Sequence, residues 1–177
     1  MTLLHTLIHP EVKAGGRVFE RQAVRAVIMR GSQILLLYTR RYDDYSFPGG
    51  GLADGEDAVS GLRRELVEET GAANVSVEDY IGYLDEYRPP LKGGDYDVLF
   101  MRSHFYLCRI EGELGVASPE AYEVANGMVP RWTDIEAAIE HNRRVINAKP
   151  PSMGLSIERE TWMLAYFLEK AEMAQST

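Results

Sequence analysis

A chain of 177 residues, 45% hydrophobic and 26% charged, has the ordinary make-up of a folded globular protein and is long enough for one core. Its formal net charge of −8 argues against a nucleic-acid or anionic-membrane partner, since those surfaces take clustered Lys and Arg; a phosphorylated small molecule is still admitted where a bound cation supplies positive charge. The single cysteine, Cys108, excludes an internal disulfide, and the short apolar N-terminus has no basic leader, so a reducing, cytoplasmic setting is expected.

One domain is expected over residues 1–177, with an N-terminal extension at 1–16 and a C-terminal linker and helix at 147–177. Leu3 to Ile8 is apolar and reads as an edge strand or a short helix. Val18 to Met29 alternates as a strand does, and Gln33 to Thr39 is a second apolar run after the turn Arg30-Gly31-Ser32; together they predict a hairpin whose LLL segment is buried on both faces. A polar, aromatic connector leads into Phe47-Pro48-Gly49-Gly50-Gly51. A helix is predicted from Asp57 to Thr70 with Gly71 as its stop.

Further on, Val75–Val77 and Tyr80–Tyr87 read as strands, Pro89–Asp95 as a loop and Leu99–Ile110 as a long strand. The stretch from Glu111 to Gly127 reads as loop, followed by a short strand at Val129–Trp132. Asp134 caps a predicted helix to about His141. Asn147 to Gly154 reads as a linker, and an amphipathic helix from Ile157 to Ala171 closes the chain. Strands, one helix, more strands and then helices make a mixed α/β or α+β sandwich.

The chemistry concentrates in the first of these helices. Taking Glu65 as zero, Glu69 lies at about 40° and Glu68 at about 300° around the axis, beside the apolar stripe of Ala58, Val59, Leu62 and Leu66. Carboxylates three and four residues apart repel, and Arg64 offsets only part of that charge. A solvated acidic face is one reading. The other is a hard divalent cation held by oxygen ligands, with three preceding glycines leaving the backbone open to close approach.

The pattern Gly50, Glu56, Arg64-Glu65-Leu66, Glu68-Glu69 and Gly71 resembles the Nudix box, Gly-x5-Glu-x7-Arg-Glu-U-x-Glu-Glu-x-Gly-U with U apolar. The last position is Ala72, smaller than the usual aliphatic residue. The resemblance implies a Nudix-type α/β/α sandwich around a central mixed sheet, and an enzyme similar to MutT-like pyrophosphohydrolases. It implies Mg2+, with Mn2+ as an alternative, held by Glu65, Glu68, Glu69 and the Gly49 carbonyl. Arg64 would orient the glutamates, and Glu56 would support the loop and helix.

The expected reaction is hydrolysis of a pyrophosphate bond in a nucleoside diphosphate linked to another moiety, such as ADP-ribose. Dinucleoside polyphosphates and oxidised nucleoside triphosphates are the alternative substrates, and a non-catalytic nucleotide sensor is the alternative of another class. Glu123 is the first choice for a general base outside the box, with Glu120, Asp95 and Asp97 behind it. Arg40, Tyr45, Phe47, Gly50 and Arg88 are candidate substrate contacts. A subfamily marker falls in the window holding Tyr87, Pro89 and Pro90, where tyrosine and proline point to different substrates. The expected partner is a small nucleotide, with no nucleic acid and no membrane; a homodimer through Leu3–Ile8 and Trp162, Met163, Tyr166 and Phe167 is a further expectation.

Overall fold

The computed structural model describes residues 1–13, 15–90 and 94–175. Two four-stranded sheets carry the chain. In the first, β1 (Leu3–Ile8), β6 (Asn74–Arg88), β7 (Val98–Glu111) and β2 (Val18–Val27) lie in that order. The β1–β6 and β2–β7 pairs are parallel and β6–β7 is antiparallel, so the sheet is mixed. In the second, β4 (Gln33–Thr39) is paired along one edge by β3 (Met29–Arg30) and β5 (Asp44–Ser46), and along the other by β8 (Met128–Asp134).

Alternation decides where the helices pack. Val24, Ala26, Ile28 and Leu35 point to one side and join Leu62 and Leu66 of α1 (Ala58–Thr70). Val27, Ile34 and Leu36 point to the other and join Phe47, Ile135, Ala138 and Ile139 of α3 (Ile135–Ala148), and Met163 and Leu164 of α4 (Ile157–Gln175). Helices on both faces of the strands give the expected α/β/α sandwich, and explain why Leu35, Leu36 and Leu37 are buried together. No helix is long and apolar enough to cross a membrane.

The expected hairpin is shorter than its two runs. Only Met29–Arg30 and Gln33–Ile34 pair, with one further bond from the Leu35 N–H to the Ile28 carbonyl; β2 has left for the other sheet, where ten of its residues align with β7. Leu3–Ile8 is the edge strand of its two readings. The two predicted strands from Val75 to Tyr87 are one, β6, with register shifts between Val77 and Asp79 and between Tyr80 and Gly82. The predicted loop from Glu111 to Gly127 contains a short helix, α2 (Ala121–Asn126). The α3 helix starts at its Asp134 cap and continues past His141 to Ala148, and α4 continues past Ala171 to Gln175. Positions 91–93 of the expected Pro89–Asp95 loop lie outside the described residues.

The four α4 residues expected at a dimer surface pack within the chain. Met163 is fully buried, Trp162, Tyr166 and Phe167 pack on the same core, and the Trp162 ring stacks on His5 of β1 at 4.5 Å.

Candidate active site

The glycine loop is laid down as a partner for β2. The free edge of that strand donates from Val24 to the Gly50 carbonyl and from Ala26 to the Pro48 carbonyl, and Leu52 returns a bond to Gln22, each at 2.9 Å. Only glycine fits at position 49. Its φ is +128°, and a Cβ there would stand 2.1 Å from the Val24 carbonyl oxygen.

Helix α1 then delivers the carboxylates against this backbone. Asp57 caps it by accepting from the Ser60 N–H and hydroxyl at 2.9 and 3.0 Å, and Gly71 ends it in the left-handed conformation with φ +69°. Leu62 and Leu66 hold its inner face in the core. With those two fixed, Glu69 is carried inside and is 4% exposed, while Glu68 stays near the rim.

Glu69 Oε2 accepts the Gly49 N–H at 2.6 Å, joining the end of the helix to the loop. Burial raises the Glu69 carboxyl well above its ordinary range; the Gly49 N–H and the Arg25 charge pull it partly back, while Glu65 and Glu123 push it further up. Burial also raises Glu65, against the opposing pull of Arg64. The Glu65 carboxylate sits directly over Gly50, where a Cβ would come within 2.4 Å of it.

Arg64 is the hub of the outer half. It forks onto Glu56 through Nε and Nη2 at 2.9 and 3.1 Å, and its Nη1 reaches Glu65 at 2.9 Å and Glu68 at 3.3 Å. The Arg64 hydrogen bonds hold Glu56 below the usual carboxylate range, and Glu56 also accepts the Ala53 N–H at 3.0 Å. One guanidinium therefore fixes the loop and both outer glutamates.

Arg64, Glu65 and Glu69 open onto a cleft of about 610 Å³, whose lining leaves out Glu56 and the expected ligand Glu68. Gly49, Gly50, Gly51, Arg64, Glu65 and Glu69 line one side, with Arg21 and Arg25 beside them; Leu37, Thr39, Tyr42, Ser46, Met101 and Met128 give a less charged part. Glu120, Tyr122, Glu123 and Asn126 of the α2 region complete the wall. Glu123 is 7% exposed and doubly held: one oxygen accepts the Glu120 N–H at 2.7 Å, the other the Tyr122 hydroxyl at 3.0 Å.

The remaining sequence candidates are placed elsewhere. Phe47 is fully buried, edge-on to Phe105, and its ring is core. Tyr45 packs between Tyr38 and His141, and Arg40 is exposed beside Gly127; neither lines the cleft. Arg88 is buried against Glu86 at 2.6 Å, also outside the cleft lining. Asp95 and Asp97 are occupied by Arg17. In their place the cleft presents Arg21 and Arg25, which the sequence reading does not select. A charge at position 25 inside the apolar run AVRAVI is the available signal, because a strand buried on both faces has no solvated side to put it on.

Arg25 donates through Nη1 to the Gly49 carbonyl, and its buried Nε has no hydrogen-bond partner among the described residues. Burial, ahead of the charges of Arg159 and Arg88, lowers its affinity for its proton. Among the described residues no three Asp, Glu, His or Cys side chains converge as a ready metal cluster. The donors nonetheless suit a hard cation: the two partly dehydrated carboxylates Glu65 and Glu69 line one cleft beside Gly49, over a loop position where a side chain would displace Glu65.

Fold and cleft together define an α/β/α enzyme domain whose site is built from a glycine loop and an acidic helix. A family model described as NUDIX domain matches residues 20–153. The chain belongs to the NUDIX domain family. No curated protein sequence matches it. Among solved structures, the mutator MutT protein of Bacillus halodurans is similar at 19% identity, over 82% of this chain and 80% of that one, with a TM-score of 0.53. A NUDIX hydrolase from Nitrosomonas europaea is similar at 17% identity, over 84% of this chain and 89% of that one, also with a TM-score of 0.53. At these identities the likeness establishes a shared fold.

Proposed function

We propose that the protein hydrolyses a pyrophosphate bond in a nucleoside diphosphate linked to another moiety, with a nucleotide sugar such as ADP-ribose as the substrate class. The observation that carries this reading is the single cleft in which Glu65, Glu69 and the Gly49–Gly51 backbone meet Arg21, Arg25 and Arg64. Carboxylates and guanidinium groups on one wall suit an anionic diphosphate accompanied by a divalent cation. The volume is in the range of small-molecule sites, and the part lined by Leu37, Tyr42 and Met128 gives the base or sugar a less charged surface.

Glu65, Glu68, Glu69 and the Gly49 carbonyl would hold Mg2+, or Mn2+ in its place. When bound, the cation would polarise the phosphoryl oxygens, lower the pKa of a water and neutralise charge on the leaving phosphate. The chain's own residues do the rest. Arg64 keeps Glu65 and Glu68 from swinging to solvent. Arg25 and Arg21 offer N–H donors to phosphate oxygens, and since four glutamates in the lining face three arginines, the cation would supply the remaining positive charge. Glu123 accepts the proton of the attacking water through the lone pairs left free by Glu120 and Tyr122. The water oxygen bonds to one phosphorus as the bridging P–O bond breaks, leaving two phosphate monoesters.

A second reading has a specific observation behind it. An arginine engages the Gly49 carbonyl, as would suit a nucleotide-binding protein without turnover. A panel of nucleotide sugars, dinucleoside polyphosphates and oxidised nucleoside triphosphates, each with Mg2+ and then Mn2+, separates the two. Monoester products from a nucleotide sugar support hydrolysis. Tight binding with no product from any substrate supports the sensor.

A further inference from the structure

Helix α4 begins after residue 153, where the NUDIX match ends, yet its Glu160 side chain reaches the backbone that leads into the glycine loop. Glu160 is fully buried, and its Oε2 accepts the Phe47 N–H at 3.0 Å. Phe47 stands two residues before Gly49, whose own N–H holds Glu69. The other Glu160 oxygen takes the Nε of Arg159 at 3.1 Å, in an ion pair that also engages Nη2. Arg159, 2% exposed, continues through Nη1 to Glu86 Oε2 at 2.8 Å, and Arg88 meets that same oxygen at 2.6 Å. Two positive and two negative side chains are thus closed on one another beneath the loop.

The same stretch of backbone is held at every second residue. β5 pairs with β4 on one edge; along the other, His141 Nε2 meets the Asp43 carbonyl at 2.8 Å and Asn142 grips both the N–H and the carbonyl of Tyr45 at 2.9 Å. Glu160 at Phe47 is the third of these contacts. Side chains of α3 and α4 occupy the edge where a neighbouring strand would lie, and they carry the pinning up to the first glycine.

Four charges in a core are hard to explain by stability alone, because apolar residues of similar volume often serve as well or better. An acceptor for the Phe47 N–H is something an apolar residue cannot supply.

We propose that Glu160, with its charge balanced by Arg159, is a positioning residue that fixes the Phe47–Gly50 backbone and, through the Gly49 N–H, the Glu69 carboxylate. The cation-binding part of the test rests on the function proposed above; the positioning itself does not. Two charge-balanced double variants isolate the acceptor. Arg159→Met with Glu160→Gln keeps a carbonyl for the Phe47 N–H, whereas Arg159→Met with Glu160→Leu does not, and both leave the Arg88–Glu86 pair intact.

Amide exchange, measured by NMR on the full chain without metal, should be at least about tenfold faster at Phe47 and Gly49 in the Leu variant than in the Gln variant, with α1, β6 and β7 unchanged. Titration with Mn2+ alone should give a dissociation constant at least about tenfold weaker in the Leu variant, with the Gln variant near wild type. Should the Leu variant fail to fold, phenyllactic acid at position 47 removes the N–H donor while leaving Arg159 and Glu160 in place, and carries the same expectation for Gly49. Equal exchange at Gly49 in both variants, or acceleration spread evenly over α4 and β6, overturns the proposal and leaves only an anchor for α4. An exchange difference in a protein that takes up no Mn2+ even as wild type supports the positioning and overturns the cation reading.

Discussion

At Gly49 and Gly50 the chain passes so close to its neighbours that a single added carbon has nowhere free to go. A Cβ on Gly49 would meet the backbone of Val24 at 2.1 Å, and backbone held between β7 and the loop cannot give way. A Cβ on Gly50 would meet the end of the Glu65 side chain at 2.4 Å, and that end can swing aside. Gly49→Ala should therefore fail to reach the soluble folded state, while Gly50→Ala should keep its stability in urea to within about 1 kcal/mol and lose on the order of 10- to 100-fold in kcat/KM. Wild-type turnover by Gly50→Ala would detach Glu65 from the reaction.

Asp44 gives a second prediction at this scale. It is 3% exposed, and burial, followed by Glu160 and Asp43, moves its carboxyl from 3.8 to about 7. Between those values the folded chain keeps a proton that the unfolded chain has released, so this contribution is present in acid and lost as pH rises through about 7. Asp44→Asn should remove it. The stability of the variant relative to wild type should rise by on the order of 2–4 kcal/mol between about pH 4 and about pH 8, read by urea denaturation at each pH. Parallel curves for the two proteins would place the titrating group elsewhere.

Among the elements, α1 is the most legible. Its start at Asp57, its stop at Gly71, its buried stripe and the inward position of Glu69 all come from local chemistry and a 3.6-residue repeat. The pairing of β2 is not legible, because a parallel partner some 80 residues away leaves no local mark; adjacency alone makes β2 and β4 look like one hairpin. The short helix α2 looks like loop. Its evidence is the reciprocal pair Glu120 and Glu123, a capping box in which Glu stands where Ser or Thr is usual. Arg88 reads as a phosphate contact, but its fate is set by Glu86 and Arg159, which no spacing rule connects to it. The clamp between α3 and β5 is equally hidden: Asn142 is fully buried and is matched to both polar groups of the Tyr45 backbone. Asn142→Ala leaves those groups unpaired in the interior and should cost about 2–4 kcal/mol in urea denaturation. A loss under about 0.5 kcal/mol would show that water replaces the amide without penalty.

Over the whole molecule, both faces of the strands are covered, and the site lies where the glycine loop, α1 and the α2 region meet at the free edge of β2. The cleft gathers Arg21, Arg25 and Arg64 beside Glu65, Glu69, Glu120 and Glu123, so cationic and anionic groups share one wall of an acidic protein. The Nudix box is readable because its glycine, glutamates and arginine are placed by a single loop and helix. Substrate choice is not readable in the same way, since the rest of the lining comes from β2, β4, β5, β7, α2 and β8, one or a few residues at a time. The central claim is that the Glu69-bearing helix drives pyrophosphate hydrolysis. Turnover of a nucleotide-sugar panel by wild type and by Glu69→Gln, at saturating Mg2+, tests it most directly, because glutamine can still accept the Gly49 N–H and keep the loop in place. The predicted result is monoester products from wild type and a loss on the order of 100- to 1,000-fold in kcat for the variant with its fold intact. Equal turnover by both proteins would contradict it.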